Sequence, residues 1–274
     1  MGQKGHSVFK DNPDSVFENV GQYHLIAVCV QECKKKFKHE RLRELESYFG
    51  KRGFLNVDKT FISMWEMWLV CYIRSDLKHD VTKIRSGSIA KGVGKMIGNK
   101  GGVAQSFMVK NRLFNFIAVH LKHGQNKSDK RDEMASQLIK ELKLQQFQSN
   151  IGGLELDQMS EFGFFLGDLN YRLETTFADL NNTNVKEQAI AMVPTKDQLK
   201  ISMSQGNYPN YVEPAIDFLP SYKMSSEVDQ YIDKKNQAPS YTDRVLYKNN
   251  SSLTIEQTAY KCLHNVFGSD HRPV

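Results

Sequence analysis

The segment “GFFLGDLNYRLE” joins an apolar run to two polar side chains that could do chemistry. Residues 163–166 are typical of a buried strand, and the run then ends in Asp168 and Asn170. Residues two apart on a strand share a face, so both side chains point the same way at the rim of a sheet. Because burying an unpaired carboxylate is costly, we expect the strand end to be exposed and to use both groups together.

Similar polar residues stand where other apolar segments begin or end. Each alone has a structural explanation, such as a solvated strand end, a satisfied core histidine or a surface turn. Together, carboxylates, an amide and two imidazoles at one rim favour a hydrolytic metal site. The oxygen donors Glu32, Asp270 and Asn170 suit Mg²⁺ better than zinc. The set outside the opening segment is Glu32, His120, Asp243, Asp270 and His271.

The composition of the 274-residue chain is that of a globular protein, with 40% hydrophobic and 25% charged residues. Its apolar runs are too short to cross a bilayer, and residues 1–20 lack the apolar core of a secretory signal. The four cysteines form no CxxC pair, which favours reduced thiols and a cytoplasmic location. A net charge of +6 favours anionic partners and leaves nucleic acid, anionic lipid and small polyphosphates open.

Runs rich in β-branched and aromatic residues are bounded by polar or glycine-containing stretches, which is typical of strands. The neighbouring runs 101–109 and 113–121 are spaced like a hairpin, which predicts antiparallel pairing. We therefore expect an α/β domain with two mainly antiparallel sheets packed together. The predicted strands are residues 23–30, 67–73, 101–109, 113–121, 161–169, 243–247 and 252–260.

Two segments have the apolar periodicity of amphipathic helices. Residues 38–50 should form a helix that ends at Gly50, and residues 128–147 should begin at a Ser128 or Asp129 cap. Both helices are expected to lie outside the sheets. Residues 148–161 have the composition of a loop that joins two halves of one domain.

Three motifs resemble the signatures of the inositol polyphosphate 5-phosphatases: “GDLNYR” (167–172), “PSYTDRVL” (239–246) and “SDHRPV” (269–274). The shorter motifs “VQE”, “GNKGG” and “HLKHG” fall in the same order as in that family. The resemblance implies a catalytic domain over 23–274, with an irregular segment over 1–22. It also implies a four-layer, deoxyribonuclease-like α/β sandwich, with two mainly antiparallel sheets face to face and helices outside.

The resemblance implies a Mg²⁺-dependent enzyme that removes the 5-phosphate from phosphoinositides or soluble inositol polyphosphates. Glu32 would hold the metal ion and Asp270 would support it or its water shell. Asp168 would take a proton from the attacking water, and Asn170 would fix the geometry. Peripheral contact at the cytosolic face of membranes follows from a lipid substrate.

Other residues would act on the phosphate itself. His271 would face a phosphate oxygen and be oriented by Asp243, while His120 would bind or polarise the phosphate from the other side. Gln237 stands where many members of the family carry arginine, which removes one charged phosphate contact. “GVGKMIGNKGG” fails the spacing of a nucleotide-binding loop. The residues expected to bind substrate are Tyr222, Lys223, Lys235, Asn99, Lys100, Arg131 and Arg244.

The sequence departs from the family at both ends. Nothing before Tyr23 matches the family's opening strand with its metal-site asparagine, and a final strand is expected to be missing after Val274. Two alternatives therefore stay open: a nuclease of the same superfamily, and a catalytically impaired phosphoinositide-binding domain. The nucleases lack “PSYK” and “PSYTDR”, so nucleic acid is not the expected partner.

Overall fold

The computed structural model describes residues 13–58, 61–91, 100–142, 160–180 and 184–274. Short 3₁₀ helices occupy Pro13–Ser15, Val20–Gln22 and Ser75–Asp80. The α-helices within the described ranges are α1 (Lys35–Gly50), α2 (Ser128–Glu141), α3 (Val185–Lys196) and α4 (Gln198–Ser204). The strands there are β1 (Leu25–Val30), β2 (Phe54–Asn56), β3 (Ile62–Met64), β4 (Met67–Arg74), β5 (Val81–Ala90), β6 (Gly101–Val109), β7 (Arg112–His120), β8 (Phe162–Asp168) and β9 (Asp243–Asn249).

The first sheet is built around β4, which pairs antiparallel with β1, β2 and β3. Side chains alternate across a strand, and β4 is buried on both faces. Trp68 and Tyr72 pack with α1 on one side. Leu69 and Cys71 pack against the second sheet on the other. The near-continuous apolar run of β4 thus reflects its position between a helix and a sheet.

The second sheet has the order β5-β6-β7-β8-β9. The predicted hairpin of β6 and β7 is antiparallel, with Gly101 opposite His120. Strands β7 and β8 are parallel, and the chain between them includes α2. The other pairs of this sheet are antiparallel.

The predicted four-layer α/β sandwich is confirmed. Helix α1 covers the outer face of the first sheet, and the two sheets share a core that includes Ile73, Val103 and Phe107. On the outer face of the second sheet, α2 packs through Met134 and Leu138. No helix of the described residues is long and apolar enough to cross a membrane.

The sequence predictions for individual elements were partly wrong. Residues 252–260 contain no strand, whereas β5, β2 and β3 were not predicted. Helix α1 ends at Gly50 as expected but begins earlier, at Lys35. Helix α2 begins at Ser128, but its N-cap is Lys127, which makes no side-chain capping bond. Residues 143–147 of the predicted helix and most of the predicted loop lie outside the described ranges.

Candidate active site

Three candidate residues lie at one rim of the second sheet because of its strand register. His120 at the end of β7 pairs with Asp168 at the end of β8. Asp168 pairs in turn with Asp243, the first residue of β9. The parallel strands β7 and β8 and the antiparallel strand β9 therefore place an imidazole and two carboxylates side by side. The sequence segments that carry them are far apart in the chain.

Asp168 is buried, with 5% of its surface exposed, so the expectation of an exposed strand end was wrong. Its partners explain how a carboxylate is tolerated there. The Oδ1 atom accepts from Asn170 N at 3.0 Å, and Oδ2 accepts from Asn170 Nδ2 at 2.8 Å. His120 Nε2 lies 3.0 Å from Oδ2. The predicted pairing of a carboxylate with an amide is present, and both groups face the same site.

The charges around Asp168 keep it ionised. Burial by itself would raise the pKa of the carboxyl group. The charge and hydrogen bond of His120 lower the pKa, and the charges of His271 and Lys100 lower it further. The pKa of Asp168 is therefore held well below its ordinary value. Asp168 is therefore a carboxylate throughout the neutral range.

Backbone conformations at the end of β8 allow this arrangement. Gly167 has a φ of +126°, and a Cβ atom there would lie 2.4 Å from the carbonyl oxygen of Val119. A side chain cannot fit, so the close approach of β7 and β8 requires glycine. Asn170 has a φ of +58°, a left-handed conformation that asparagine tolerates better than most residues.

Asp243 orients His271. His271 Nδ1 lies 2.8 Å from Asp243 Oδ2, and the same oxygen accepts from Ser221 Oγ at 2.7 Å and Thr242 Oγ1 at 2.8 Å. Burial would lower the pKa of His271, but the charge and hydrogen bond of Asp243 and the charges of Asp168 and Asp270 raise it to about 9. The imidazole is therefore protonated at neutral pH and leaves Nε2 to face a ligand.

Two carboxylates beside the protonated His271 offer oxygen ligands for a cation. Single ligand atoms of Asp168, Asp243 and His271 all lie within 4.8 Å of one another. Glu32, exposed and with a φ of +56°, lines the same cavity of about 340 Å³ as these three residues. Several carboxylate oxygens in one cavity suit a hard divalent cation. Asp270 does not join them, because its Oδ2 accepts from Lys223 Nζ at 2.5 Å.

Basic and aromatic groups border the carboxylates. The Nζ atom of Lys100, a residue that is 8% exposed, contacts His120 Nε2. Burial lowers the pKa of Lys100, and the charges of Asp168 and Glu32 counter this. The ring of Tyr222 lies 4.5 Å from the ring of His271, measured between centroids. These contacts place Lys100, Tyr222 and Lys223 beside the candidate catalytic residues.

Other residues that were expected to bind substrate lie elsewhere. Asn99 falls outside the described residues. Lys235 is exposed in a turn with a φ of +62°.

The substrate role expected for Arg131 and Arg244 is corrected. Both arginines are buried, at 0% and 1% exposure. Arg131 NH1 donates to the carbonyl oxygens of Lys122 and Gly124, at 3.1 and 2.8 Å. Arg244 donates to two buried carboxylates, Asp197 and Glu213. A contact with substrate would break these bonds, so both side chains stabilise the fold behind the site.

Sequence reasoning missed three residues that hold the site together: Arg172, Ser221 and Thr242. Arg172 NH2 donates to Asn170 Oδ1 at 2.6 Å, and the two hydroxyl groups bind Asp243. All three lie within or beside the motifs “GDLNYR”, “PSYK” and “PSYTDR”. Their positions in the sequence, next to the predicted acids, could have indicated that these residues bind buried carboxylates.

The packed sheets and the strand-end acids and histidines define the class of endonuclease-, exonuclease- and phosphatase-like proteins. The family model “Endonuclease/Exonuclease/phosphatase family 2” matches residues 6–274. The chain belongs to this family.

Curated relatives confirm the resemblance to the inositol polyphosphate 5-phosphatases. A phosphatidylinositol 3,4,5-trisphosphate 5-phosphatase 2A of Danio rerio is 27% identical over 221 residues, which is 77% of this chain and 17% of the relative. A phosphatidylinositol 4,5-bisphosphate 5-phosphatase of Saccharomyces cerevisiae is 29% identical over 223 residues, or 79% of this chain and 22% of the relative. The chain thus spans about a fifth of the length of these curated relatives.

Solved structures show the same fold. The inositol polyphosphate 5-phosphatase domain of SPsynaptojanin, in complex with inositol (1,4)-bisphosphate and calcium, has a TM-score of 0.78 at 21% identity. The alignment covers 91% of this chain and 72% of that one. A Cimex nitrophorin, in a ferrous NO complex, has a TM-score of 0.77 at 23% identity, with 99% and 91% covered. The fold therefore occurs with different ligands, and the site residues must distinguish them.

Proposed function

We propose that this chain is a phosphomonoesterase that removes the 5-phosphate of phosphoinositides or soluble inositol polyphosphates. The observation that carries the proposal is the meeting of His120, Asp168, Asp243 and His271 at one rim. An ionised carboxylate can accept a proton from water while a protonated imidazole beside it donates a hydrogen bond to a phosphate group. The names of the curated relatives favour the inositol 5-phosphate as the group removed.

Asp168 is the proposed general base. Its carboxylate is fixed by Asn170, so a water molecule bound to a free lone pair is aimed at phosphorus. The water oxygen forms a bond to phosphorus as its proton passes to Asp168, and the bond from phosphorus to the inositol oxygen breaks. The departing inositol oxygen takes up the proton that Asp168 received, so the products are an inositol hydroxyl and inorganic phosphate, and Asp168 is again a carboxylate. Because the pKa of Asp168 is low, the carboxylate is available over the whole neutral range.

His271 and His120 are proposed to bind or polarise the phosphate. Asp243 holds His271 Nδ1, so the protonated Nε2 can donate to an oxygen that becomes more negative in the transition state. Lys100 adds donors on the other side of Asp168, and His120, whose Nε2 contacts Asp168 and Lys100, would polarise the phosphate through these groups. Tyr222 and Lys223 are the proposed contacts for a neighbouring phosphate group.

Mg²⁺ is the proposed cofactor, and the carboxylate-rich cavity fits it. Glu32 would hold the ion in the cavity that Asp168 and Asp243 also line, and Asp270 is the weaker candidate because Lys223 occupies its Oδ2. When bound, the ion would neutralise charge on the scissile phosphate. Addition of Mg²⁺ should raise the melting temperature of the wild type and not that of Glu32→Gln. An equal rise of the melting temperature in both proteins would show that Glu32 does not bind the metal ion.

Phosphate release from a panel of inositol phosphates and phosphoinositide vesicles, with and without EDTA, tests the proposal. We expect Mg²⁺-dependent release that is lost in His271→Gln. Nicking of plasmid DNA without release from inositol phosphates would favour the nuclease alternative. Binding to phosphoinositide vesicles with neither activity would favour a non-catalytic lipid-binding domain. A preference between vesicles and soluble compounds would decide whether membrane contact is part of the function.

A further inference from the structure

Arg172 is buried next to the candidate base and is not used by the chemistry proposed above. Only 4% of it is exposed. Its Nε atom donates to the backbone carbonyl of Asn170 at 3.1 Å, and NH2 donates to Asn170 Oδ1 at 2.6 Å. One guanidinium group thus holds both the backbone and the side chain of a residue in the left-handed conformation.

The bond from Arg172 decides which way the Asn170 amide points. A guanidinium group has donors only, so the atom that it contacts must be the amide oxygen. The amide nitrogen is therefore directed at Asp168 Oδ2, 2.8 Å away, and at the carbonyl oxygen of Leu121, 3.3 Å away. With the opposite orientation, an oxygen of Asn170 would face the Asp168 carboxylate and repel it.

The same guanidinium group contacts the other half of the site. Its central carbon lies 4.4 Å from the centroid of the Tyr222 ring, within the range of a cation–π contact. That ring also contacts the ring of His271, which Asp243 holds through Nδ1. A continuous series of contacts therefore runs from Asp168 through Arg172 to His271.

We propose that Arg172 is a positioning residue for the phosphoryl-transfer site, which acts through the Asn170 amide on Asp168 and through Tyr222 on His271. The inference rests on the proposed function for its kinetic consequence only. The orientation of the Asn170 amide is a property of the protein without substrate. Arg172 is not proposed to bind phosphate: its Nε and NH2 atoms donate to Asn170, and its face is directed at Tyr222.

A double-mutant cycle with Asn170 tests the inference by kinetics. Arg172→Met should lower kcat at least tenfold and change KM less than twofold. Arg172→Lys keeps the charge but cannot form the planar two-point contact, so it should resemble Arg172→Met. Because Arg172 acts largely through Asn170, adding Arg172→Met to Asn170→Ala should lower kcat less than threefold further. A raised KM with unchanged kcat, rescue by lysine, or multiplicative effects would overturn the proposal.

The control is Arg41→Met, which removes a buried arginine that contacts an aromatic ring, Phe37, on α1. It should lower the melting temperature and leave kcat unchanged, so that a kcat loss in Arg172→Met is not a general effect of removing a buried arginine. If Arg172→Met does not fold, Arg172→Lys carries the test, alone and combined with Asn170→Ala.

Nuclear magnetic resonance of the protein without substrate separates this inference from the proposed function. The Asn170 side-chain amide, identified by its loss in Asn170→Asp, should be protected from exchange in the wild type. In Arg172→Lys its exchange should be at least tenfold faster. An unchanged exchange rate would overturn the positioning role. Absence of phosphatase activity in the wild type would instead reject the proposed function.

Discussion

Asp168 is kept ionised by its neighbours and not by exposure to water. It accepts two hydrogen bonds from Asn170 and lies beside the imidazole of His120. Removal of this side chain would leave buried donors without their acceptor, at a cost of about 1–3 kcal/mol for each. Because Asp168 is buried, Asp168→Asn tests its role better than Asp168→Ala does.

Asp168→Asn should lower kcat by about 10²–10⁴-fold, because the amide cannot take a proton from water. We expect it to fold better than Asp168→Ala, since it preserves shape and one acceptor. Phosphate release and thermal unfolding measure the two effects. The matched control is Asp179→Asn, an exposed aspartate that accepts from Thr175 and Thr176. If Asp168→Asn had the same kcat as Asp179→Asn, Asp168 would not be the general base.

His271 should make stability depend on pH above neutrality. Its pKa of about 9 in the folded protein exceeds the ordinary 6.5. Its contribution is therefore complete below pH 6.5 and is lost as the pH rises through 9. The contribution is at most about 3 kcal/mol. Urea unfolding in EDTA should show that the gap between wild type and His271→Gln shrinks over this range. A gap that stays constant from pH 6 to 10 would contradict this pKa.

At the scale of elements, the register of β7, β8 and β9 places the catalytic candidates, and this register depends on Gly167. The φ of +126° and the contact with Val119 leave no room for a side chain. Gly167 directly precedes Asp168, so a shift of the backbone there would move the base.

Gly167→Ala should lower the free energy of unfolding by about 1–3 kcal/mol or more, through backbone strain and the clash with β7. It should also reduce kcat. Gly50→Ala is the control, because a Cβ atom there meets nothing within 4 Å at the end of α1. Urea unfolding compares the two variants. Equal stability would mean that β7 and β8 can move apart without cost.

The sequence predicted the elements with strong apolar patterns and missed those whose stability comes from partners. Strand β4 is buried on both faces and reads as a continuous apolar run. Strand β5, “VTKIRSGSIA”, is largely polar and is set by pairing with β6, which no local pattern reveals. Helix α3, “VKEQAIAMVPTK”, was missed because its apolar residues do not form one stripe and Pro194 lies near its end. Residues 252–260 have strand-like composition but find no partner strand within the described residues.

The site was predicted better than the contacts behind it. Motif resemblance identified Asp168, Asp243 and His271, which the structure brings within 4.8 Å. It could not tell that Arg131 and Arg244 point into the protein. A motif records which residues occur together, whereas the direction of a long side chain depends on buried partners distant in the sequence.

In the molecule as a whole, Arg244 connects the second sheet to the segment that begins α4. It starts on β9 and donates to Asp197, the N-cap of α4, and to Glu213. The three side chains are fully buried, with ion-pair distances of 3.0 and 2.5 Å. Lys200 Nζ also lies 2.7 Å from Glu213 Oε2, so Glu213 has two cationic partners, whereas Asp197 pairs with Arg244. The cluster thus stabilises the layer against which the catalytic sheet packs.

Arg244→Met should cost about 3–5 kcal/mol in unfolding free energy, because it leaves buried Asp197 without its cation and leaves Glu213 with Lys200 alone. Arg74→Met, which breaks an exposed pair with Asp76, should cost no more than about 1 kcal/mol. Urea unfolding of both variants checks the difference. If Arg244→Met were as stable as Arg74→Met and only raised KM, the original substrate-binding prediction would be restored.

We propose that the residues at one rim of this sandwich remove the inositol 5-phosphate. Phosphorus NMR of inositol 1,4,5-trisphosphate, incubated with the protein and Mg²⁺, tests it most directly. We expect that the 5-phosphate signal alone disappears as inorganic phosphate forms, and that Asp168→Asn leaves all three signals intact. Loss of the 1- or 4-phosphate signal would contradict it, as would no phosphate release by the wild type from either this compound or phosphoinositide vesicles.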